Sequence, residues 1–365
     1  MKAAAQTLAV CICTFQRPAL VGRLVADLLE QGTRPDALIV VDGDPASGQA
    51  RSVLESSGFA GRLVYVASNH PNQPYQRYLG WRVAVELPAD ILLYFDDDIR
   101  LLERETIEKI IQPFSWMDRH VAGVTAPTFS PRSAEKLSAA PALLEQRQAR
   151  TPALARWFGE GTRTPPGGLT ASGHRVEADC AGNPYARVDC LRGRVMAFRM
   201  SALGRANFPD DLFAMKHVRA GLGEDTLISH SVLPSGELLT ACEARIEHPD
   251  DEMPNSYPHR AYDYGIAVSY SRRLLNDYYR FPGKPLLKDR LALARSYAGN
   301  MVLNWWKFFR QPRAHRFQYA RGYARGVWRA ILRPPRAKIL TPRIDWEADA
   351  VRALESKMEL TPRHV

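Results

Sequence analysis

A chain of 365 residues, 45% hydrophobic and 24% charged, is long enough to bury a sizeable core and too ordinary in composition to be disordered or fibrous. Its net charge of +10 is uneven: residues 271–340 hold seventeen Lys or Arg against Asp277 and Asp289, so that segment carries +15 and the remainder −5. No uninterrupted apolar run reaches the roughly 18 to 20 residues that a spanning helix needs.

Gln6 and then Phe15-Gln16-Arg17 spoil a signal-peptide pattern at the amino terminus, so a cytoplasmic protein is expected. The five cysteines, at 11, 13, 180, 190 and 242, contain no Cys-x-x-Cys pair. Buried free thiols are expected, rather than a disulfide framework or a zinc ribbon.

In chain order, residues 8–13 (LAVCIC) are continuously apolar and predict a buried strand. PALVGRLVADLLEQG then spaces Leu20, Leu24, Leu28 and Leu29 for a helix, with Pro18 near its start and Gly32 just past its end. ALIVVDGD and RLVYVASN repeat the strand pattern, and a helix around 75–85 leads to ILLYF at 91–95. Strands alternating with helices predict an α/β fold with a mostly parallel central sheet flanked by helices. Ligands of such sheets gather beyond the carboxyl ends of the strands, where Thr14, Asp42 and Asp96 to Asp98 fall.

Residues 130–185, rich in Pro, Gly, Ser and Thr, predict long loops around a short helix near 139–147. Order returns with VDCLRGRVMAF, followed by a loop and helix around GLGEDTLISHSVL. From 261 onward the pattern changes to basic, aromatic helices. Leu291, Ala294, Ala298, Met301, Trp305 and Phe308 share one helix face, expected to pack on the body of the protein. Arg321, Arg325, Arg329 and Arg333 form a basic stripe on a later helix. With Trp305, Trp306, Phe308, Phe309 and Trp328 it offers another reading, peripheral contact with an anionic membrane.

Three motifs bear on chemistry. ILLYFDDDI delivers Asp96, Asp97 and Asp98 to one strand end, where hard oxygens suit Mg²⁺ or Mn²⁺ with a bound diphosphate; a solvated acidic turn is the alternative. GLGEDTLISH sets Glu224 and Asp225 at a helix start, either as a cap or as a general base. His248 closes a probable strand, as a structural imidazole or a metal ligand.

The order TFQRP, VVDGD, ILLYFDDDI, GED and then His248 resembles the family-two, inverting glycosyltransferases with the GT-A fold, over roughly residues 7–260. The Asp225-to-His248 spacing most resembles the galactofuranosyltransferase-like branch. The resemblance implies a GT-A domain over 1–260, a helical extension over 261–365, a nucleotide-diphosphate sugar donor, usually uridine-linked, and a divalent cation. It further implies Thr14, Phe15, Arg17, Asp42, Arg77, Asp96, Asp97, Gly193 and Arg194 in the donor site, with Asp42 on the base. Asp96, Asp98 and His248 would hold the metal, Asp225 would be the base with its pKa raised by Glu224, and Glu224 would orient the acceptor. A glycan or lipid-linked acceptor is expected, at the inner face of the cell membrane.

Two departures stand out: the family's Arg-Asn-x-Gly appears as Arg77-Tyr78-Leu79-Gly80, and no acceptor-binding Trp is recognisable between 180 and 225. A nucleotidyltransferase needs a glycine-rich loop after the first strand, and TFQRP stands there instead. A basic nucleic-acid-binding protein is the other rival, but no nucleic-acid motif accompanies the +15 segment, so no specific nucleic-acid partner is expected.

Overall fold

Four amino-terminal strands, β1 (Leu8–Thr14), β2 (Ala37–Asp42), β3 (Arg62–Ala67) and β4 (Ile91–Asp96), form where the sequence is continuously apolar, and all four pair in parallel. Their alternate side chains enter different cores: Ala9, Cys11 and Cys13 join one cluster, and Leu8, Val10 and Ile12 the other. Helices α1 (Pro18–Leu29), α2 (Gln49–Glu55), α3 (Gln73–Glu86) and α4 (Thr106–Ile111) provide the crossovers and cover. The computed structural model describes residues 6–116, 120–129, 164–170, 172–218, 223–248, 257–276, 287–332, 337–341 and 343–360. The helix expected near 139–147 lies outside them.

Beyond β4 the chain adds β5 (Arg100–Leu101), β6 (Val121–Thr125), β7 (Thr128–Phe129), β8 (Tyr185–Val188), β9 (Val195–Arg199), β10 (Glu237–Ala241), β11 (Ile246–Glu247) and β12 (Met358–Leu360). The large sheet runs β12-β3-β2-β1-β4-β9-β6-β10-β8, with β9 antiparallel to both neighbours. The parallel character expected of the whole sheet is therefore strongest over β3-β2-β1-β4. A small sheet, β5-β11-β7, stands beside it. Because β2 and β4 flank β1, the strand order reverses there, and the crevice of an open α/β sheet falls at the ends of β1 and β4.

Helices α5 (Asp210–Ala214) and α6 (Glu224–Val232) complete this part, followed by α7 (Tyr257–Leu274), α8 (Leu287–Arg310), α9 (Ala314–Leu332), α10 (Ala337–Leu340) and α11 (Trp346–Glu355). The described residues from 261 onward are mainly helical, and the last two elements return to the central sheet. The buried Trp346 of α11 packs against Tyr75 and Phe213, and β12 extends the sheet edge at β3. Among the described residues no helix is long and apolar enough to cross a membrane.

One sequence expectation fails here and another holds in part. Cys180 and Cys242 form a disulfide, leaving Cys11, Cys13 and Cys190 as the buried free thiols. The cause is strand pairing: Cys180 precedes β8 and Cys242 follows β10, and antiparallel pairing sets Tyr185 opposite Ala241. The Leu291 stripe of α8 packs inward only in its second half: Leu291, Ala294 and Ala298 are exposed, whereas Met301 packs on the Leu293, Tyr297, Tyr323 and Val327 cluster and Trp305 and Phe308 meet Phe317 of α9. The buried side of α8 includes Leu293, Ser296, Tyr297 and Gly299. Tyr297 meets Tyr323 of α9 and donates to the Ser269 carbonyl of α7 at 2.7 Å.

Candidate functional site

Where β1 ends, the chain turns through Gln16, the one non-glycine residue with a positive φ (59°) among those described. The turn leaves the Phe15 ring exposed and sends Arg17 back to the acidic triplet. Arg17 Nη1 donates to Asp97 Oδ1 and to Asp98 Oδ2, each at 3.0 Å, and Thr14 Oγ1 donates to Asp97 Oδ2 at 2.8 Å. Burial pushes Asp97 up to about 7 despite Arg17. Burial also opposes ionisation of Asp98, but His248 and Arg17 hold it below the usual carboxylate range.

Asp42, at the end of β2, is buried. One oxygen accepts from the Tyr65 hydroxyl and the other from the Asp44 amide, both at 2.8 Å. Gln76 Nε2 ties the ends of β1 and β2 together through the carbonyls of Thr14 (2.8 Å) and Val41 (3.0 Å).

Arg77 on α3, only 2% exposed, is the hub. Its Nη1 donates to Glu224 Oε1 at 2.8 Å, and its Nη2 donates to Asp96 Oδ1 at 3.0 Å and to the Gly193 carbonyl at 2.8 Å. Gln73, one turn earlier, donates to the same Asp96 oxygen at 2.7 Å. Arg77 thereby joins the end of β4, the loop before β9 and the start of α6. Burial raises Asp96 despite Arg77. Arg194 Nη1 donates to Thr128 Oγ1 at 2.7 Å.

Glu224 and Asp225 occupy the first turn of α6, where the helix dipole favours carboxylates. The helix starts at Gly223, whose φ of 94° is one that glycine adopts without strain. Asp225 Oδ2 accepts from the Gly193 amide at 2.8 Å, and Oδ1 accepts from the Thr226 amide at 2.7 Å and from Arg175 Nη2. A Cβ on Gly193 would lie 3.0 Å from Asp225 Oδ2, so glycine permits this approach. Burial favours the protonated acid, but Arg175 outweighs it and Asp225 falls to about 2. Glu224 moves the other way, up to about 7, because burial and the neighbouring Asp225 outweigh Arg77. The expected order is thus reversed: Glu224, not Asp225, carries the raised pKa.

Asp96, Arg77, Gly193, Arg194, Glu224 and Asp225 line one cleft of about 650 Å³, with Gln73, Arg175, Arg192 and Gly223. His248 follows β11 in the small sheet, anchored by its amide to the Phe129 carbonyl at 2.8 Å, and its Nε2 lies 3.4 Å from Asp98 Oδ1. That carboxylate oxygen is buried and makes no hydrogen bond. A hard carboxylate oxygen set beside an imidazole nitrogen is a donor pair that fits a divalent cation. Among the described residues no three such groups close on one point, and Asp96, the third expected ligand, is held by Arg77 and Gln73.

Gln73, Gln76 and Arg175 did not emerge from the sequence. The first two share the α3 face of Arg77 and Gly80 at spacings of three and four, a signal that was present. Arg175 comes from a Pro- and Gly-rich loop with no period to mark it.

No family profile and no curated protein matches the chain at the sequence level. Solved structures do. The S. aureus TarS 1-349 structure in complex with UDP-GlcNAc is 13% identical, covers 96% of this chain and 89% of its own, and superposes with a TM-score of 0.51. The same TarS fragment without that ligand gives 13%, 96%, 88% and 0.50. The fold is of the GT-A type. The mannosyltransferase PcManGT from Pyrobaculum calidifontis, in complex with GDP-Man and Mn²⁺, is a further likeness at 14% identity, 95% and 86% coverage and a TM-score of 0.48. In this GT-A-type chain Asp96 and the α6 start meet across one cleft; Asp97, Asp98, Thr14, Arg17 and His248 form a neighbouring group outside its lining, and Asp42 and Phe15 lie at the ends of β2 and β1.

Proposed function

We propose that this chain is an inverting glycosyltransferase that moves a sugar from a nucleotide-diphosphate donor, uridine-linked, to a hydroxyl of a glycan or lipid-linked acceptor. The observation that carries the reading is the single cleft in which Asp96, Gly193-Arg194 and Glu224-Asp225 face one another around Arg77. The exposed ring of Phe15 offers a stacking surface for the base, and Asp42 keeps acceptor lone pairs beside its bonds to Tyr65 and Asp44. Asp98 and His248 would hold Mn²⁺ or Mg²⁺, whose charge offsets that developing on the leaving diphosphate.

In this reaction the acceptor oxygen bonds to the anomeric carbon as the bond from that carbon to the diphosphate oxygen breaks. The electron pair leaves with the nucleoside diphosphate, and the acceptor proton passes to Asp225. No sugar–enzyme bond forms. Arg77 and the Gly193 amide fix the two α6 carboxylates, so the base is positioned before the substrates arrive. The Arg175 pair and the low pKa of Asp225 favour a second reading in which Glu224 is the proton acceptor and Asp225 orients the hydroxyl.

Product analysis across a panel of nucleotide sugars with Mn²⁺ or Mg²⁺ tests the proposal. Free nucleoside diphosphate is expected, and pyrophosphate would instead mean nucleotidyl chemistry. Asp225→Asn lowers turnover at least about 100-fold while keeping the thermal shift given by the donor. Full turnover in Asp225→Asn with its loss in Glu224→Gln transfers the proton to Glu224.

A further inference from the structure

The orientation of α8 leaves an apolar face exposed among the described residues. Leu287 (73% exposed), Leu291 (60%), Val302 (56%), Trp306 (50%) and Phe309 (72%) recur at helical spacing along one side, with the exposed Ala294 and Ala298 between them. A helix of 24 residues carries this stripe for about 36 Å. Exposed cations border it: Lys288, Arg290, Arg295 and Arg310, the last with its guanidinium 5.3 Å from the Trp306 ring centroid. On α9, Arg321 and Arg325 are exposed, as are Trp328, Ile331 and Leu332 near its end.

We infer that the α8–α9 hairpin is a docking surface for an anionic lipid bilayer. Residues 287–332 contain ten Lys or Arg, and their one acid, Asp289, is buried. A surface with an apolar stripe and a cationic border matches the two layers of a bilayer interface: the stripe reaches the acyl boundary, and the long cationic side chains extend to the phosphates. The same charge argues against a second copy of this chain as the occupant. Self-association would set two such cationic faces together with no accessible acid to offset them. A nucleic acid would satisfy the cations but leave the stripe in water.

The hairpin is tied firmly to the rest of the protein. Gly322 and Gly326 of α9 press against the Tyr262 and Ile266 carbonyls and Ser269 of α7; a Cβ on Gly322 would lie 2.0 Å from the Tyr262 oxygen. Ser271 and Arg272 of α7, with Leu275 just beyond it, line a cavity of about 600 Å³ that shares Arg175 and Gly223 with the cleft. A bilayer under α8 thus lies against the same helical unit that walls the side of the cleft occupied by Asp225.

Flotation of the full chain with phosphatidylcholine vesicles, with and without phosphatidylglycerol, at low and high salt tests this. Binding is expected with the anionic vesicles at low salt. High salt weakens it about ten-fold, and so does Trp306→Glu/Phe309→Glu at low salt. The double variant should keep the elution volume, melting temperature and donor-induced thermal shift of the parent, which separates loss of docking from failure of the sugar-transfer reading. Leu291→Gln/Val302→Gln serves if the glutamates disturb folding. No flotation with anionic vesicles at low salt overturns the inference, as does flotation that neither variant weakens. A dimer or a DNA mobility shift abolished by the same variants, without vesicle binding, overturns it in favour of those occupants.

Discussion

Arg77 satisfies Glu224, Asp96 and the Gly193 carbonyl at once, so its loss leaves the buried Glu224 without its cation and the half-buried Asp96 without its closest one. Breaking a buried pair in this way costs about 3–5 kcal/mol, and Arg77→Ala should lower the denaturation midpoint by a corresponding amount. Glu224 has the opposite pH signature from an ordinary surface acid. Burial raises its folded pKa from 4.5 to about 7, so the folded state binds the extra proton across that interval. Its contribution to stability is present below the unfolded value and is lost as pH rises to the folded one. Melting temperature measured across that window should therefore fall more steeply with pH in the parent than in Glu224→Gln. Arg175→Ala removes the cation that holds Asp225 low, and the acid limb of the rate profile should move to higher pH. An unmoved limb would mean that Asp225 does not titrate in the rate-limiting step.

Among the elements, the contact of α7 with α9 depends on small residues: a methyl at Gly322 would collide with backbone rather than with a movable side chain. Gly322→Val should cost about 1–3 kcal/mol, read by chemical denaturation. The disulfide spans a separation of 62 residues, and in a chain-entropy account it contributes about 4 kcal/mol. Cys180→Ser or a reductant should lower the melting temperature to a similar extent. The elements differed in how far the sequence revealed them. β1, β2, β3 and β4 were legible because each is a short apolar run ending in polar groups, and burial on both faces requires that pattern. The inward side of α8 was not, because an apolar period marks a stripe without saying whether protein covers it. Nor could cysteine spacing disclose a bond that exists because β8 and β10 pair.

For the whole molecule, the sequence located the strand-end carboxylates and the α6 acids, and the fold supplies what connects them. Arg77 and Arg175 reach the same cleft from α3 and from a distant loop, a convergence that depends on tertiary structure rather than local period. The uneven charge was equally visible in the sequence, while its arrangement around an exposed stripe required the hairpin.

The outer strand β12 has a consequence for biosynthesis. Arg62 of β3 is 297 positions from its partner Glu359, so the ribosome completes β3 long before the segment that caps it. At the usual pace of translation the delay is roughly 15 to 60 s, during which the nascent chain presents an open edge. Holding back that edge, by a chaperone or by transient cover, is a task the growing polypeptide faces before it is released.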